Sequence, residues 1–345
     1  MLRLPPFTLR QPSSLDEALD ILSSEESCRI VAGGTDLWPN MKRRHQKAET
    51  VVSLLGIDGL RGIRTNGEVR IGATTTLREV ETHPTVRDRY PGLATAVASI
   101  SSPPLRNMGT LGGNVCVDTR CTYYNQTEDW RRSIDYCMKE EGEICWVAPS
   151  SSRCWAHSAS DSAPMLWALG GRIVLVGPEG ERTIPVEALY RDDGIDYLTK
   201  RPEEIVTEIL VPQEASTDRC RSAFWKLRRR GSIDFAVLSA AVALWLDGDT
   251  ISRASIVLGA VGSSPRPCEK AEELLVGEEP TEEVLAEAAQ IARRSAIPMD
   301  NTDFQAQWRK AVAGKYVEGA LREAAGLETD RLAPKHPRPT LAAGR

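Results

Sequence analysis

Five of the chain's eight cysteines lie between residues 116 and 155, in the stretch CVDTRCTYYNQTEDWRRSIDYCMKEEGEICWVAPSSSRCW. The last four are spaced Cys121-x15-Cys137-x7-Cys145-x8-Cys154, with Cys116 just ahead. No CxxC pair occurs, so a zinc ribbon or finger gains little support. Nor is this the CxxCxxCxxxC run of bacterial ferredoxins. Four separated thiolates can still surround one cubic iron–sulfur cluster, because a long loop can fold around it. Disulfides are the other use, and a reducing compartment opposes them. The segment is polar and weakly periodic, and carries Trp130, Trp146 and Trp155 with little core of its own. A metal centre would supply the ordering that apolar burial cannot. Cys28, Cys220 and Cys268 are isolated and read as small buried hydrophobes.

Two glycine turns form the second constellation. VAGGTDL (31–37) places Gly33 and Gly34 after an apolar run. Paired glycines let backbone amides approach a phosphate, and successive N–H groups form an anion nest. Thr35 adds a hydroxyl, and Asp36 could cap a helix or bind a ligand hydroxyl. A plain strand-to-helix turn uses the same residues. SISSPPLRNMGTLGGN (99–114) adds Gly109, Gly112 and Gly113, with donors Arg106, Asn107, Thr110 and Asn114. Two such loops could grip a pyrophosphate from both sides. Neither is a GxGxxG fingerprint or a GxxxxGK[ST] loop, which disfavours simple dinucleotide-fold and NTPase readings.

The elements that must hold these loops alternate strand and helix. SSLDEALDIL (13–22) predicts a capped helix, CRIV a strand into the first turn, and ETVVSLLGI (49–57) a further strand. EVRIGATTTLREVETHP (68–84) predicts a strand, then a helix starting near the threonines. YPGLATAVASI (90–100) predicts a helix. SAPMLWALGGRIVLVGPEGERTIPVEAL (162–189) predicts a helix and two strands around a PEGE turn, and EEIVTEILVP (203–212) a closing strand. Beyond the polar QEASTDRCR, three strands with a DGD hairpin turn and two amphipathic helices (281–296 and 303–326) are expected. The organisation expected is 1–58, 59–214 with a cysteine-rich insertion at about 115–157, 215–326, and a proline-rich tail at 327–345.

Bulk composition excludes several classes. With 345 residues, a net charge of −5 and 26% charged residues, nothing points to nucleic acid or an acidic membrane. The run Lys226 to Arg230 is too short for a nucleic-acid patch. No stretch approaches a membrane helix, and the start lacks an apolar signal core, so a cytoplasmic protein is expected. The four histidines show no HxxxH or HExxH spacing. His157, three residues after Cys154, is the one that could replace a thiolate.

Taken in order, VAGGTDL, IGATTTL, RNMGTLGGN and SDSAPMLWALGG closely resemble the FAD-binding medium subunit of the xanthine dehydrogenase family of molybdenum hydroxylases. The similarity runs over nearly the whole chain. It implies an α+β protein: a vanillyl-alcohol-oxidase-type FAD fold in two subdomains, plus a C-terminal α+β domain with a three-stranded sheet and helices. It also implies that Val31, Ala32, Gly33, Gly34, Thr35 and Asp36, with Thr110, Gly112, Gly113 and Asn114, hold the FAD diphosphate. Ser101 would contact the flavin, Asp161 the ribose or adenosine portion, and Lys226 the flavin ring, where a cation favours the reduced anionic form. A lysine on a solvated strand edge is the other reading of Lys226.

Between Asn114 and Asp161 the chain is far longer than that family requires, and the excess holds the cysteines. Long irregular segments are usually functional. The branch with such an insert, resembling the beta subunit of 4-hydroxybenzoyl-CoA reductase, implies one 4Fe–4S cluster on Cys121, Cys137, Cys145 and Cys154, with Cys116 spare. The implied role is electron transfer between an external carrier, of ferredoxin type, and partner subunits. Those partners would be a molybdenum large subunit and a 2Fe–2S small subunit, in a dimer of heterotrimers. The alternatives are the FAD subunit of another aromatic or N-heterocycle hydroxylase using NAD, and a zinc-stapled interaction subunit. No catalytic acid or base is expected on this chain.

Overall fold

The structure, a computed structural model, describes residues 2–217 and 219–332. Its three sheets draw on successive stretches of the chain, residues 8–53, 63–211 and 220–267. The first holds β1 (Thr8–Arg10), β2 (Cys28–Val31) and β3 (Thr50–Ser53), in the order β1-β3-β2. Both pairings are parallel, with Thr50 opposite Thr8 on one side and Cys28 on the other. The connecting helix Leu15–Ser24 starts where Ser14 accepts from the Glu17 amide, and packs Ala18 against Val52 and Leu54. β1 was not evident in the sequence: it is three residues long and exposed throughout.

The second sheet is antiparallel, in the order β4-β5-β8-β6-β7. Its strands are β4 (Ile63–Arg64), β5 (Val69–Gly72), β6 (Arg172–Gly177), β7 (Gly180–Pro185) and β8 (Ile205–Val211). Thr76 caps the helix Leu77–Thr82 in a reciprocal box with Glu79, matching the start expected near the threonines.

The third sheet has β9 (Cys220–Leu227), β10 (Leu238–Asp247), β11 (Thr250–Gly259) and β12 (Arg266–Pro267), in the order β12-β11-β10-β9. The two-residue β12 makes four strands where three were expected; its pairing with Leu258 and Val257 carries no apolar pattern to read. β10 is buried from Leu238 to Trp245 because helices cover both faces. Ala241, Ala243 and Trp245 face the core shared with helices Pro91–Ala98 and Ser162–Ala168. Ala240, Val242 and Leu244 face helices Glu282–Ala292 and Ala306–Ala325. Covering both faces removes the alternation of a half-solvated strand. Part of the expected tail, 333–345, lies outside the described residues. Among the described residues, no helix is long and apolar enough to cross a membrane.

The cysteine segment runs from the helix Leu111–Val115 to the helix Ser162–Ala168, and its one helix is the short Glu128–Ser133. Polar clamps from all parts of the chain order it instead. The Tyr124 hydroxyl donates to His45 O (2.9 Å), and His45 Nε2 donates to Gln126 O (3.0 Å). The Thr122 amide donates to Asn301 O (2.8 Å), and Asn301 Nδ2 donates to Trp155 O (2.6 Å). Arg309, fully buried on the helix Ala306–Ala325, donates to the carbonyls of Val237, Met299 and Ala260, which fixes the segment carrying Asn301.

Candidate functional site

The two glycine turns meet. A Cβ on Gly33 would lie 1.7 Å from the Met108 carbonyl oxygen and 3.0 Å from Gly109 Cα. Only a residue without a side chain lets the first turn rest on the backbone of the second. Gly34 adds a φ of +69°, in the left-handed region. Between the turns opens a cavity of about 490 Å³ whose wall includes Val31 to Asp36, Ser101, Thr110, Gly112, Gly113 and Asn114. The volume falls in the usual range of ligand sites.

The turns differ in what they can offer a ligand. The amides of Gly33, Gly34 and Thr35 donate to no acceptor among the described residues, so three N–H groups are free. In the second turn, Leu111 N–H goes to Thr75 O, Gly112 N–H to Ala73 O and Gly113 N–H to Thr110 Oγ1. Asn114 compensates. Its Oδ1 accepts from Ser160 Oγ (3.0 Å), Ser162 N (3.2 Å) and Ser162 Oγ (2.6 Å). Three donors on one oxygen fix the amide and leave Nδ2 to donate elsewhere. Free amides on one wall and a held amide on the other fit an anionic diphosphate, so the residues present fit FAD. Arg106 was expected among these donors, but is spent on Glu81 and on Ile100 O (2.8 Å).

Ser101 lies on the wall at a φ of +48°, held there because its carbonyl accepts from Ile233 N (3.0 Å) and Ser232 Oγ (3.2 Å). Left-handed backbone costs a non-glycine residue about 1 kcal/mol, and such strain clusters at ligand sites. Asp36 does not cap its helix. Its carboxylate is engaged by Arg120 and by Asn40 Nδ2 (2.9 Å), while burial raises its pKa. Arg120 belongs to the cysteine segment, so that segment docks directly on the first glycine turn.

Asp161 and Lys226 lie outside the cavity wall. They form a buried ion pair of 2.6 Å, each side chain 4% exposed. Burial pushes the Asp161 carboxyl up and the Lys226 ammonium down, each opposed by its partner. The solvated-edge reading of Lys226 is therefore wrong: β9 is covered on both faces. Lys226 also donates to Ser99 O (3.1 Å), two residues from Ser101. Asp161 Oδ1 has no partner among the described residues.

Cys121, Cys137, Cys145 and Cys154 are all buried. Three of them share a small core with Tyr124 and Ala156. The Ala156 amide donates to Cys154 Sγ at 3.4 Å. The neighbouring Cys154 thiol lowers the pKa of the Cys145 thiol, and Cys145 in turn raises that of Cys154. Burial raises Cys121 to about 11 and also raises Cys137. Nearby backbone amides oppose the burial of these two thiols, those of Tyr123 and Tyr124 at Cys121 and of Lys139 at Cys137 lowering their pKa. Among the described residues, no three His, Cys, Asp or Glu side chains are arranged to hold a single metal ion. A cubic cluster spreads its four thiolates over separate irons, and its charge is tuned by N–H groups aimed at the sulfurs. Four buried thiols in one insert match the number of ligands such a cluster takes. Cys116 lies apart, its thiol on the wall of the FAD cavity, where burial raises its pKa. His157 Nδ1 donates to Ser158 O (2.9 Å), and burial holds the ring down to about 4.

Sequence reasoning missed Arg29, Asp118, Tyr197, Lys200 and Phe235 on the cavity wall. They come from loops and strand ends far apart in the chain, with no shared motif. Only Phe235 carries a signal, an exposed aromatic beside the basic run.

Residues 5–214 match the FAD binding domain in molybdopterin dehydrogenase, and residues 222–324 the CO dehydrogenase flavoprotein C-terminal domain. The carbon monoxide dehydrogenase medium chain of Hydrogenophaga pseudoflava is 29% identical over 322 residues, 93% of this chain and 97% of that one. The nicotinate dehydrogenase FAD-subunit of Eubacterium barkeri is 26% identical over 276 residues, 79% of this chain and 80% of that one. The solved structure of carbon monoxide dehydrogenase from Hydrogenophaga pseudoflava lacking the Mo-pyranopterin moiety superimposes with a TM-score of 0.78. It is 28% identical and covers 94% of this chain and 99% of that one.

Proposed function

We infer that this chain, which belongs to the family of FAD-binding subunits of molybdopterin dehydrogenases, is the electron-transferring subunit of a molybdenum enzyme of the 4-hydroxybenzoyl-CoA reductase type. It would hold FAD between its two glycine turns and one 4Fe–4S cluster on Cys121, Cys137, Cys145 and Cys154. The observation that carries this reading is the gathering of four buried cysteines in an insert docked, through Arg120 and Asp36, on the first glycine turn. When bound, a cluster passes single electrons and a flavin exchanges one or two, which links a one-electron carrier to a two-electron reaction.

The chain's own residues have separate tasks in this account. The amides of Gly33, Gly34 and Thr35 bind the diphosphate. Asn114 Nδ2, oriented by Ser160 and Ser162, closes on it from the other side. Ser101 orients the flavin end, with the Lys226–Asp161 pair behind it. Backbone amides near the sulfurs stabilise thiolates as ligands. Molybdenum and the substrate pocket would sit on a large partner subunit, and 2Fe–2S clusters on a small one. The reaction would take two electrons and two protons to convert 4-hydroxybenzoyl-CoA to benzoyl-CoA and water, drawing on a donor of ferredoxin type.

The names of the relatives favour a second reading, an FAD subunit for oxidation of an N-heterocyclic compound. The complex, purified anaerobically with its partner subunits, separates the two. Dehydroxylation of 4-hydroxybenzoyl-CoA with a reduced viologen supports the first. NAD-coupled hydroxylation of nicotinate or a related heterocycle, without dehydroxylation, supports the second.

A further inference from the structure

Between the cysteine nest and the flavin cavity lies a buried ion pair that neither site uses directly. Lys139 Nζ donates to Asp118 Oδ1 (2.8 Å), Thr119 Oγ1 (2.8 Å) and Gly194 O (2.6 Å). The two charged side chains are 6% and 7% exposed. Three acceptors satisfy the three protons of an ammonium. The rings of Tyr124 and Tyr197 stand 5.0 and 5.5 Å from the nitrogen. Lys139 is thus held in place from every side.

The pair has a direction. Its positive end faces the cysteines: Lys139 is two residues beyond Cys137, and its charge favours the thiolates of Cys137 and Cys154. Its acceptor Gly194 lies against Cys154, so close that a Cβ there would come within 2.6 Å of Sγ. The negative end faces the flavin cavity: Asp118 is part of the cavity wall, as are Tyr197 and Gln46. Gln46 Nε2 donates to Asp118 Oδ2 at 3.2 Å. A buried ion pair seldom gains stability over an apolar replacement, so its stability alone does not explain its place. Charges in a poorly screened interior act strongly on neighbours.

We propose that Lys139 and Asp118 form a fixed dipole that positions the potentials of the two redox centres, raising that of a cluster in the cysteine nest and lowering that of the flavin. This rests on the reading of the insert as a cluster site. A cation beside a cluster stabilises its reduced form, and a carboxylate beside a flavin destabilises the reduced anion. Electrons entering at the cluster then lose less energy on reaching the flavin and stay reducing for the partner subunits.

The test is a redox titration of the anaerobically purified complex, following the cluster by electron paramagnetic resonance and the flavin by absorbance. The variants are Lys139→Met, Asp118→Asn and the double variant Lys139→Met/Asp118→Asn. In the double variant, which leaves no unpaired charge, the cluster potential should fall and the flavin potential rise. The shift should equal at least tenfold in the one-electron equilibrium constant for one centre, or about 59 mV. Lys139→Met alone should lower both potentials and Asp118→Asn alone raise both. Two loaded centres with unmoved potentials in the double variant would overturn the proposal and leave the cluster assignment standing. Absence of a 4Fe–4S signal from the unaltered complex would instead remove the assignment on which it rests. If the double variant loses its cluster, Asp118→Asn is read at the flavin, and an unmoved flavin potential overturns the proposal.

Discussion

Replacing Gly33 with alanine tests whether the two glycine turns must touch to hold FAD. The added Cβ would sit 1.7 Å from the Met108 carbonyl oxygen, 2.5 Å from its carbon and 3.0 Å from Gly109 Cα. All three neighbours are backbone, so no side chain can rotate away and the turns must part. Such overpacking costs about 1–3 kcal/mol. In the free protein the turns can relax across the cavity, whereas bound FAD needs both in place. The cost therefore falls mainly on binding, an expected loss of about 5- to 150-fold in affinity. Titration of flavin-free protein with FAD, followed by quenching of flavin fluorescence, measures it, and thermal unfolding without FAD gives the part borne by the fold. Gly231→Ala is the control, since nothing lies within 4 Å of a Cβ there. Unchanged affinity and melting temperature in Gly33→Ala would refute the packing of the turns.

Lys226→Met leaves Asp161 buried without its cation and should destabilise by about 3–5 kcal/mol, with most of the loss recovered in Lys226→Met/Asp161→Asn; urea unfolding of both variants checks this. His45 and His157 are held down to about 4 by burial, against 6.5 for an exposed ring. The unfolded chain then binds more protons between those values, so stability is full above about pH 6.5 and falls as pH drops toward 4, by at most about 3 kcal/mol per ring. Unfolding curves across that range should show the slope, and His157→Gln should flatten it. Single serine replacements at Cys121, Cys137, Cys145 and Cys154 should each lower bound iron, whereas Cys116→Ser should leave it unchanged; colorimetric iron counts decide it.

How far the sequence reached depends on where each signal came from. The strand entering the first glycine turn, the helix begun by Thr76 and the two C-terminal helices were legible because local periodicity and capping residues carry them. β1 and β12 were not, since three exposed residues and a two-residue bridge have no pattern of their own. The burial of Lys226 was ambiguous because it depends on helices distant in sequence covering β9 from both sides. Asp36 showed the same limit. Its turn predicts a ligand or cap role, while its contact with Arg120 arises only when the cysteine segment folds back across the turn. The spacing of the cysteines left their use open. What the fold adds is that four are buried while Cys116 lines the cavity between the glycine turns.

The most direct test of the account is the iron, acid-labile sulfide and FAD content of the chain purified without oxygen. About four iron and four sulfide are expected for each FAD. One FAD with neither iron nor sulfide would contradict it and leave the plain FAD subunit; zinc without flavin would contradict both.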